Sequence, residues 1–263
     1  MNNKVIVLGK GFLGKKFEEK GFEVWGKDQF YIDANRGLPL KNLYKYDVII
    51  NCIGKSDTRW CENKENLKQT LFSNGTIPSI LSKYCELNDK KFVHISTGCL
   101  YDRNDVPQKE TDFVAAHCIY TLTKWMGELG CNPSKDLILR PRLYFSDFND
   151  KNNLLCKLPK FNKFLTEMNS YTSLDVIVDS TTALLKGNQV GIFNVAADGY
   201  ATLKELSEWM GLKGIGITQT QLHYFEKLYL VNNIMNINKL KQFFNPPKLK
   251  DEILRCWDKL NEN

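Results

Sequence analysis

The 263-residue sequence has few histidines and no closely paired cysteines, and both absences exclude kinds of site. Its eight cysteines are scattered without a CxxC pair, and the histidines are only His94, His117 and His223. Because zinc sites need clustered Cys and His ligands, we expect no metal. A disulfide framework is not expected either, since the first residues do not resemble a secretory signal.

Long apolar runs and clustered charge are also lacking. No apolar segment is long enough to span a bilayer, so we expect a cytoplasmic protein with no membrane partner. The net charge of +6 comes from 36 Lys and Arg against 30 Asp and Glu, mixed along the chain. This pattern indicates a solvated surface rather than a face that binds nucleic acid. No repeat or Pro-rich tract suggests a linker or an array.

What the sequence does contain starts with the apolar run Val5-Ile6-Val7-Leu8, typical of a buried parallel strand. A GxGxxG motif and a helical pattern follow at once. In this context the first glycine permits a tight turn, the second lets the backbone approach a pyrophosphate, and the third lets the helix pack on the strand. The motif therefore predicts a dinucleotide site; its predicted cofactor-binding residues are Gly9, Gly11, Phe12, Leu13 and Gly14.

The end of the second predicted strand, residues 23–26, bears on the choice of dinucleotide. Lys27 could pair with a 2′-phosphate, which favours NADPH, whereas Asp28 could bind ribose hydroxyls, so NADH stays an alternative. Both could also be solvated turn residues. Cys52 and Gly54, where the strand-like segment 46–53 ends, are further predicted cofactor contacts.

A second constellation carries groups suited to carbonyl chemistry. Tyr120 and Lys124 are one helical turn apart, so the phenol and the ammonium share a helix face. The ammonium is expected to favour ionisation of the phenol, and the Thr97 hydroxyl at a strand end could share the substrate oxygen. Chance occurrence of YxxxK in a helix is the alternative. His94, inside the strand 91–96, is expected to be a core residue.

Strand and helix signals alternate along the chain, which predicts an α/β fold with a Rossmann-type doubly wound parallel sheet. Further strands are predicted at 137–140 and 191–196, and helices at 63–74 and 77–88, interrupted at Gly75 and Pro78. We expect a dinucleotide-binding domain at 1–148. Residues 149–263 are expected to form mainly a smaller substrate-binding lobe, with some elements returning to the core.

These motifs resemble the extended short-chain dehydrogenase/reductase family. Segments 57–62, 97–99, 139–142 and 153–157 more narrowly resemble the nucleotide-sugar 3,5-epimerase/4-reductases that complete UDP-L-rhamnose synthesis. The resemblance implies a reductase triad of Thr97, Tyr120 and Lys124, with the last two also touching the cofactor. It further implies Cys99 as the epimerising base and Lys157 as its partner acid. The implied substrate contacts are Arg59, Thr97, Cys99, Arg142 and Asn153.

The implied substrate is a UDP- or dTDP-linked 4-keto-6-deoxyhexose. Its C3 and C5 protons flank the carbonyl, so a thiolate base and an acid on opposite ring faces could invert both centres before hydride reaches C4. Two alternatives stay open. One is a monofunctional dTDP-4-dehydrorhamnose reductase, in which Cys99 and Lys157 would be incidental, and the other is a non-catalytic NADP-binding regulatory subunit. The choice between UDP and dTDP and the formation of a homodimer are also open.

Overall fold

The computed structural model describes residues 3–31, 37–101, 105–226 and 231–262. The strands are β1 (Val5–Leu8), β2 (Glu23–Trp25), β3 (Val48–Asn51), β4 (Lys91–Ile95), β5 (Leu137–Pro141), β6 (Tyr144–Phe145), β7 (Lys163–Leu165), β8 (Thr172–Ser173), β9 (Gly191–Val195) and β10 (Ile215–Ile217). The helices are α1 (Phe12–Glu19), α2 (Thr58–Glu62), α3 (Leu67–Leu71), α4 (Ile77–Leu87), α5 (Ile119–Leu129), α6 (Leu154–Lys157), α7 (Leu174–Lys186), α8 (Leu203–Trp209), α9 (Gln219–Glu226) and α10 (Leu249–Asn261).

The central sheet has six strands in the order β2-β1-β3-β4-β5-β9. The strand pairs from β2 through β5 are parallel, with Leu8 opposite Asn51 and Asn51 opposite His94. Because β2 lies on one side of β1 and β3 on the other, the strand order reverses at β1. This is the doubly wound arrangement, so the predicted fold class is confirmed, and ligands of such sheets bind beyond the strand ends at the reversal.

The chain forms two compact units whose segments alternate along the sequence. The first contains residues 1–100, 114–140 and 185–193, and the second contains residues 101–113, 141–184 and 194–263. Strands β3, β4 and β5 supply buried apolar side chains to the core of the first unit, which is why they read as near-continuous apolar runs. In the second unit, short strand pairs β6-β8 and β7-β10 accompany a core that includes Phe164, Tyr171 and Ile253.

The segment from residue 64 to 87 differs from its prediction. We expected an interruption at Gly75 and Pro78, but helical structure continues from α3 through a π-helical turn at Phe72–Thr76 into α4. Pro78 is the second residue of α4 and directly follows the π-helical turn, so its missing N–H falls where the hydrogen-bond pattern changes from the wider π-turn to the α-helix. The interruption was therefore a wrong prediction. Within the described ranges, no helix has the length and apolar character needed to cross a membrane.

Candidate functional site

The glycine motif forms a tight turn between β1 and α1. The Gly9 N–H donates to the carbonyl of Trp25 at 2.9 Å, and Gly9 has a φ of +111°, which disfavours other residues. A Cβ on Gly9 would lie 2.9 Å from the carbonyl carbon of Cys52, and one on Gly14 would overlap the Gly9 carbonyl oxygen. Nothing lies within 4 Å of the Cβ position of Gly11. The turn thus leaves open space at the N-terminus of α1, where phosphates bind well.

A cavity of ≈ 800 Å³ opens at this turn within the first unit. This volume lies in the range typical of small-molecule and cofactor sites. Apolar side chains such as Trp25 and Phe30 line it, and Cys52 and Gly54 also face the cavity. The charged lining residues are Lys10, Lys27, Lys55, Lys68 and Glu65. An excess of positive charge over open backbone suits a ligand with several phosphates.

Lys27 and Asp28 have different surroundings. Lys27 lines the large cavity, whereas Asp28 lines a separate cavity of ≈ 350 Å³ together with Gly37 and Pro39. Burial, and then the positive charge of Lys27, lower the pKa of Lys55. Two ammonium groups therefore influence one another on the cavity wall, which indicates a place where an anion would be stabilised.

Helix α5 carries Tyr120 and Lys124, and both side chains are buried. Lys124 Nζ donates to the carbonyl of Ile95 at 2.7 Å, which ties α5 to the end of β4. A Cβ on Gly54 would lie 3.8 Å from Lys124 Nζ, so the ammonium stands just behind the cavity wall. Burial lowers the pKa of Lys124 to about 8, and the charge of Glu128 acts in the opposite direction.

Thr97 and Cys99 follow β4 at the same end of the sheet. The Cys99 N–H donates to Thr97 Oγ1 at 3.1 Å within the short 3₁₀ turn Gly98–Leu100. Thr97 is buried and Cys99 is half-buried. Since Ile95, which accepts from Lys124, is two residues before Thr97, the first unit holds the hydroxyl, the thiol and the ammonium near one strand end. Tyr120 is one helical turn before Lys124 on α5.

Asn74 was not predicted as a site residue, yet it fixes the cavity wall. From the π-helical turn its Oδ1 accepts from the Lys55 N–H at 2.7 Å, and its Nδ2 donates to the Lys55 carbonyl at 3.1 Å. Nδ2 also lies 3.2 Å from Thr123 Oγ1 on α5. The amide therefore joins the loop after β3 to the helix that carries Tyr120 and Lys124. A buried asparagine inside an apolar helical pattern was the signal available in the sequence.

His94 is fully buried, and burial holds its pKa well below the usual value, so it is neutral. Its Nδ1 lies 3.2 Å from Asn51 Nδ2, while Asn51 Oδ1 accepts from the Ile53 N–H. This pair therefore positions the backbone that leads into the cavity wall at Cys52 and Gly54. Glu62 at the end of α2 is another unpredicted contact, and its Oε1 accepts from the Tyr120 N–H at 3.4 Å.

The predicted acid Lys157 and the remaining predicted substrate contacts are distributed over both units. Arg59 lies on α2 in the first unit and is exposed, and Lys157 ends α6 in the second unit and is also exposed. Arg142 is buried in the second unit, where Nη2 donates to Asn169 Oδ1 at 2.8 Å and to the Val231 carbonyl.

Asn153 has a structural environment in the second unit. Its Oδ1 accepts from the N–H groups of Ser146 and Leu155, and its Nδ2 donates to the carbonyls of Ser146 and Phe148. These bonds use both donors and both acceptor positions of the amide. Any influence of Asn153 on a substrate would therefore pass through the loop and the start of α6 that it holds.

Comparison with known proteins gives consistent similarities. Residues 5–179 match the family described as RmlD substrate binding domain. The trifunctional UDP-glucose 4,6-dehydratase/UDP-4-keto-6-deoxy-D-glucose 3,5-epimerase/UDP-4-keto-L-rhamnose-reductase RHM2 of Arabidopsis thaliana is 25% identical over an alignment 279 positions long, which covers 96% of this chain and 41% of that protein. The chain thus spans about two fifths of the length of this relative.

Two solved structures share the fold. The L780 UDP-rhamnose synthase of Acanthamoeba polyphaga mimivirus superimposes with a TM-score of 0.85 at 19% identity, over 99% of this chain and 100% of that one. The dTDP-4-dehydrorhamnose reductase of Bacillus anthracis str. Ames in complex with NADP gives a TM-score of 0.80 at 18% identity, over 98% and 100%.

Proposed function

Because this chain belongs to the RmlD substrate-binding domain family, we propose that it is an NADPH-dependent reductase of nucleotide-linked 4-keto-6-deoxyhexoses. One observation carries the proposal. Helix α5 carries buried Tyr120 and Lys124, and the Lys124 ammonium ties this helix to the strand end that precedes Thr97, just behind a lysine-lined cavity in the size range of cofactor sites. The cofactor named for the Bacillus anthracis structure, NADP, supports the same choice.

The chain's own residues have defined tasks in this reaction. When bound, the reduced nicotinamide supplies the hydride that is added to C4 of the sugar. Tyr120 donates a proton to the C4 oxygen, and Thr97 holds that oxygen by a hydrogen bond. Lys124 stabilises the phenolate that remains, because a nearby ammonium favours the ionised phenol. The open space over Gly11 and the N-terminus of α1 receive the pyrophosphate.

We further propose that the same site epimerises C3 and C5 and that the nucleotide is UDP. The names of the Arabidopsis relative and of the mimivirus synthase support this proposal. Cys99 is the proposed base, and Lys157 is the proposed acid on the opposite ring face. A proton removed beside the carbonyl leaves an enolate, whose oxygen Thr97 and Tyr120 hold before a proton returns. The product would be UDP-L-rhamnose, and a homodimer stays a prediction.

The reductase proposal is tested by NADPH oxidation with UDP- and dTDP-4-keto-6-deoxyglucose and with their epimerised forms, UDP- and dTDP-4-keto-L-rhamnose. Tyr120→Phe keeps the ring and removes the proton donor, so the reduction rate should fall by roughly two to four powers of ten. Calorimetric titration should show unchanged NADPH affinity. If the wild-type chain binds NADPH but reduces none of these four substrates, a regulatory subunit becomes the better assignment.

The epimerase proposal is tested by proton exchange in deuterated water. The wild-type chain should place deuterium at C3 and C5 of the product, whereas Cys99→Ser should not, because a serine hydroxyl ionises far less readily than a thiol. Cys118→Ser is a matched control, since Cys118 is another half-buried thiol of the first unit. Lys157→Ala should still exchange at one centre without inversion. An unchanged yield of doubly inverted sugar from Cys99→Ser would show that Cys99 is not the base. A wild-type chain that reduces 4-keto-L-rhamnose nucleotides but incorporates no deuterium at C3 or C5 would leave only the monofunctional reductase.

A further inference from the structure

Beyond the end of β2, the cavity wall includes Gly26 and Lys10. Gly26 is the first residue after β2 and lies beside the Gly9 turn, which bonds to Trp25. A Cβ on Gly26 would lie 3.3 Å from Cβ and 3.9 Å from Cδ of Lys10. The aliphatic part of Lys10 therefore lies where a side chain at position 26 would project.

This place matters because the adenosine ribose of a dinucleotide binds near the end of the second strand. An acid there accepts hydrogen bonds from the ribose hydroxyls and repels a 2′-phosphate. Gly26 supplies no carboxylate, and Asp28 lines the other cavity. Lys10 and Lys27 instead bring positive charge to the wall. The arrangement is suited to a phosphorylated ribose.

Lys10 also has an anionic partner within the protein. Its Nζ lies 2.6 Å from Glu18 Oε1 on α1, and both side chains are about half exposed. Ion pairs at such exposure are weak, because water solvates both charges well. A ligand phosphate with two negative charges could therefore displace the carboxylate, and Glu18 would act as its competitor for the ammonium.

We propose that Lys10 is a cofactor-selecting residue that binds the 2′-phosphate of NADPH, and that Glu18 competes with this phosphate for the Lys10 ammonium. The inference rests on the proposed use of NADPH and adds which residues distinguish it from NADH. It predicts that the charges of Lys10 and Glu18 affect the binding of NADPH and hardly that of NADH, because NADH has a neutral 2′-hydroxyl in place of the phosphate.

Calorimetric titration of the full chain with NADPH and with NADH tests the proposal. Lys10→Gln should weaken NADPH binding by about tenfold and leave NADH within a factor of about two. Glu18→Gln should tighten NADPH binding by about two- to fivefold without affecting NADH. Glu19→Gln is the matched control, since Glu19 is the next residue on α1 and pairs with Lys16 instead. The double variant Lys10→Gln/Glu18→Gln should bind NADPH no more tightly than Lys10→Gln does, because Glu18 then has no Lys10 ammonium with which to pair.

Three results would overturn the inference. One is equal weakening of both cofactors by Lys10→Gln, which would make Lys10 a general phosphate or structural contact. Another is tightening by Glu18→Gln that persists in the double variant. The third is equal NADPH and NADH affinity of the wild-type chain. In all three cases the chain still binds a dinucleotide, so the proposed reductase function survives. Binding of neither cofactor would remove the proposed function as well.

Discussion

At the scale of single residues, Lys124 occupies a position that suits the proposed reaction but lowers the free energy of unfolding. Its ammonium is buried behind the cavity wall and donates to the Ile95 carbonyl. Burial lowers its pKa to about 8, below the ordinary value of 10.5. The folded state therefore binds the proton less tightly than the unfolded chain does. The charged form is destabilised in the fold, yet it is the form needed to stabilise a Tyr120 phenolate.

This imbalance predicts that Lys124→Met is more stable than the wild-type chain at pH 7. One pKa unit corresponds to about 1.4 kcal/mol, and the lost hydrogen bond to Ile95 removes part of the gain, so we expect about 1–2 kcal/mol. The wild-type penalty is complete below pH 8 and disappears as the pH rises towards 10.5. The gain should therefore shrink across that interval. Urea unfolding at pH 7, 9 and 10.5 measures it.

Lys83→Met is the control for Lys124→Met, since Lys83 has a side chain that is 63% exposed and pairs with Glu86 on the surface. It should change the free energy of unfolding by less than about 0.5 kcal/mol. The Lys124→Met chain should also lose reductase activity. A Lys124→Met chain that is less stable than wild type at pH 7 would contradict the argument, because removal of the buried charge would then bring no gain.

At the scale of elements, the π-helical turn Phe72–Thr76 presents Asn74 to the loop after β3. The turn sits between α3 and α4 and places the amide against both backbone groups of Lys55. Because Gly54 and Lys55 line the large cavity, the geometry of the cofactor wall depends on a helix that does not itself carry a catalytic group. Such π-turns are frequent at functional sites.

Asn74→Ala should therefore affect both stability and cofactor binding. Loss of the amide leaves the Lys55 N–H without its partner and the Lys55 carbonyl with only the 3.8 Å contact to Cys61 Sγ, which should cost about 2–4 kcal/mol of unfolding free energy. The freed loop should also weaken NADPH binding by about tenfold. Asn88→Ala is the control, because Asn88 makes a single exposed bond to the Tyr84 carbonyl. An Asn74→Ala chain with wild-type stability and wild-type NADPH affinity would show that the loop after β3 does not depend on the hydrogen bonds of Asn74.

Elements with strong local patterns could be predicted from the sequence, and those decided by tertiary contacts could not. The apolar runs predicted β1, β3, β4, β5 and β9 to within a few residues, and GxGxxG located the turn before α1. Helix α2 escaped prediction because its five residues show no periodicity, although Asp57 caps it. The roles of Asn74 and Asn153 escaped because each depends on backbone groups brought close by folding.

At the scale of the whole molecule, the first unit is completed by a strand far away in sequence. Strand β9 adjoins β5 at the edge of the sheet, and Ile192 packs against the core that contains Ile138. Residues 141–184, which lie between these strands, belong to the second unit. A chain that ends before β9 would expose the edge of β5, whose residues are all buried. Unpaired apolar edges of this kind favour aggregation.

A fragment of residues 1–148 should therefore fail to unfold cooperatively, although it contains the glycine motif, Tyr120 and Lys124. A second chain would join residues 1–143 to 184–196 through a flexible Gly/Ser linker of about 20 residues, whose average span is about 25 Å. Because this chain restores β9 beside β5, it should show one urea transition and bind NADPH. Tryptophan fluorescence and calorimetry compare the two. Equal cooperativity and equal NADPH binding by the 1–148 fragment would show that the sheet holds together without its distant strand.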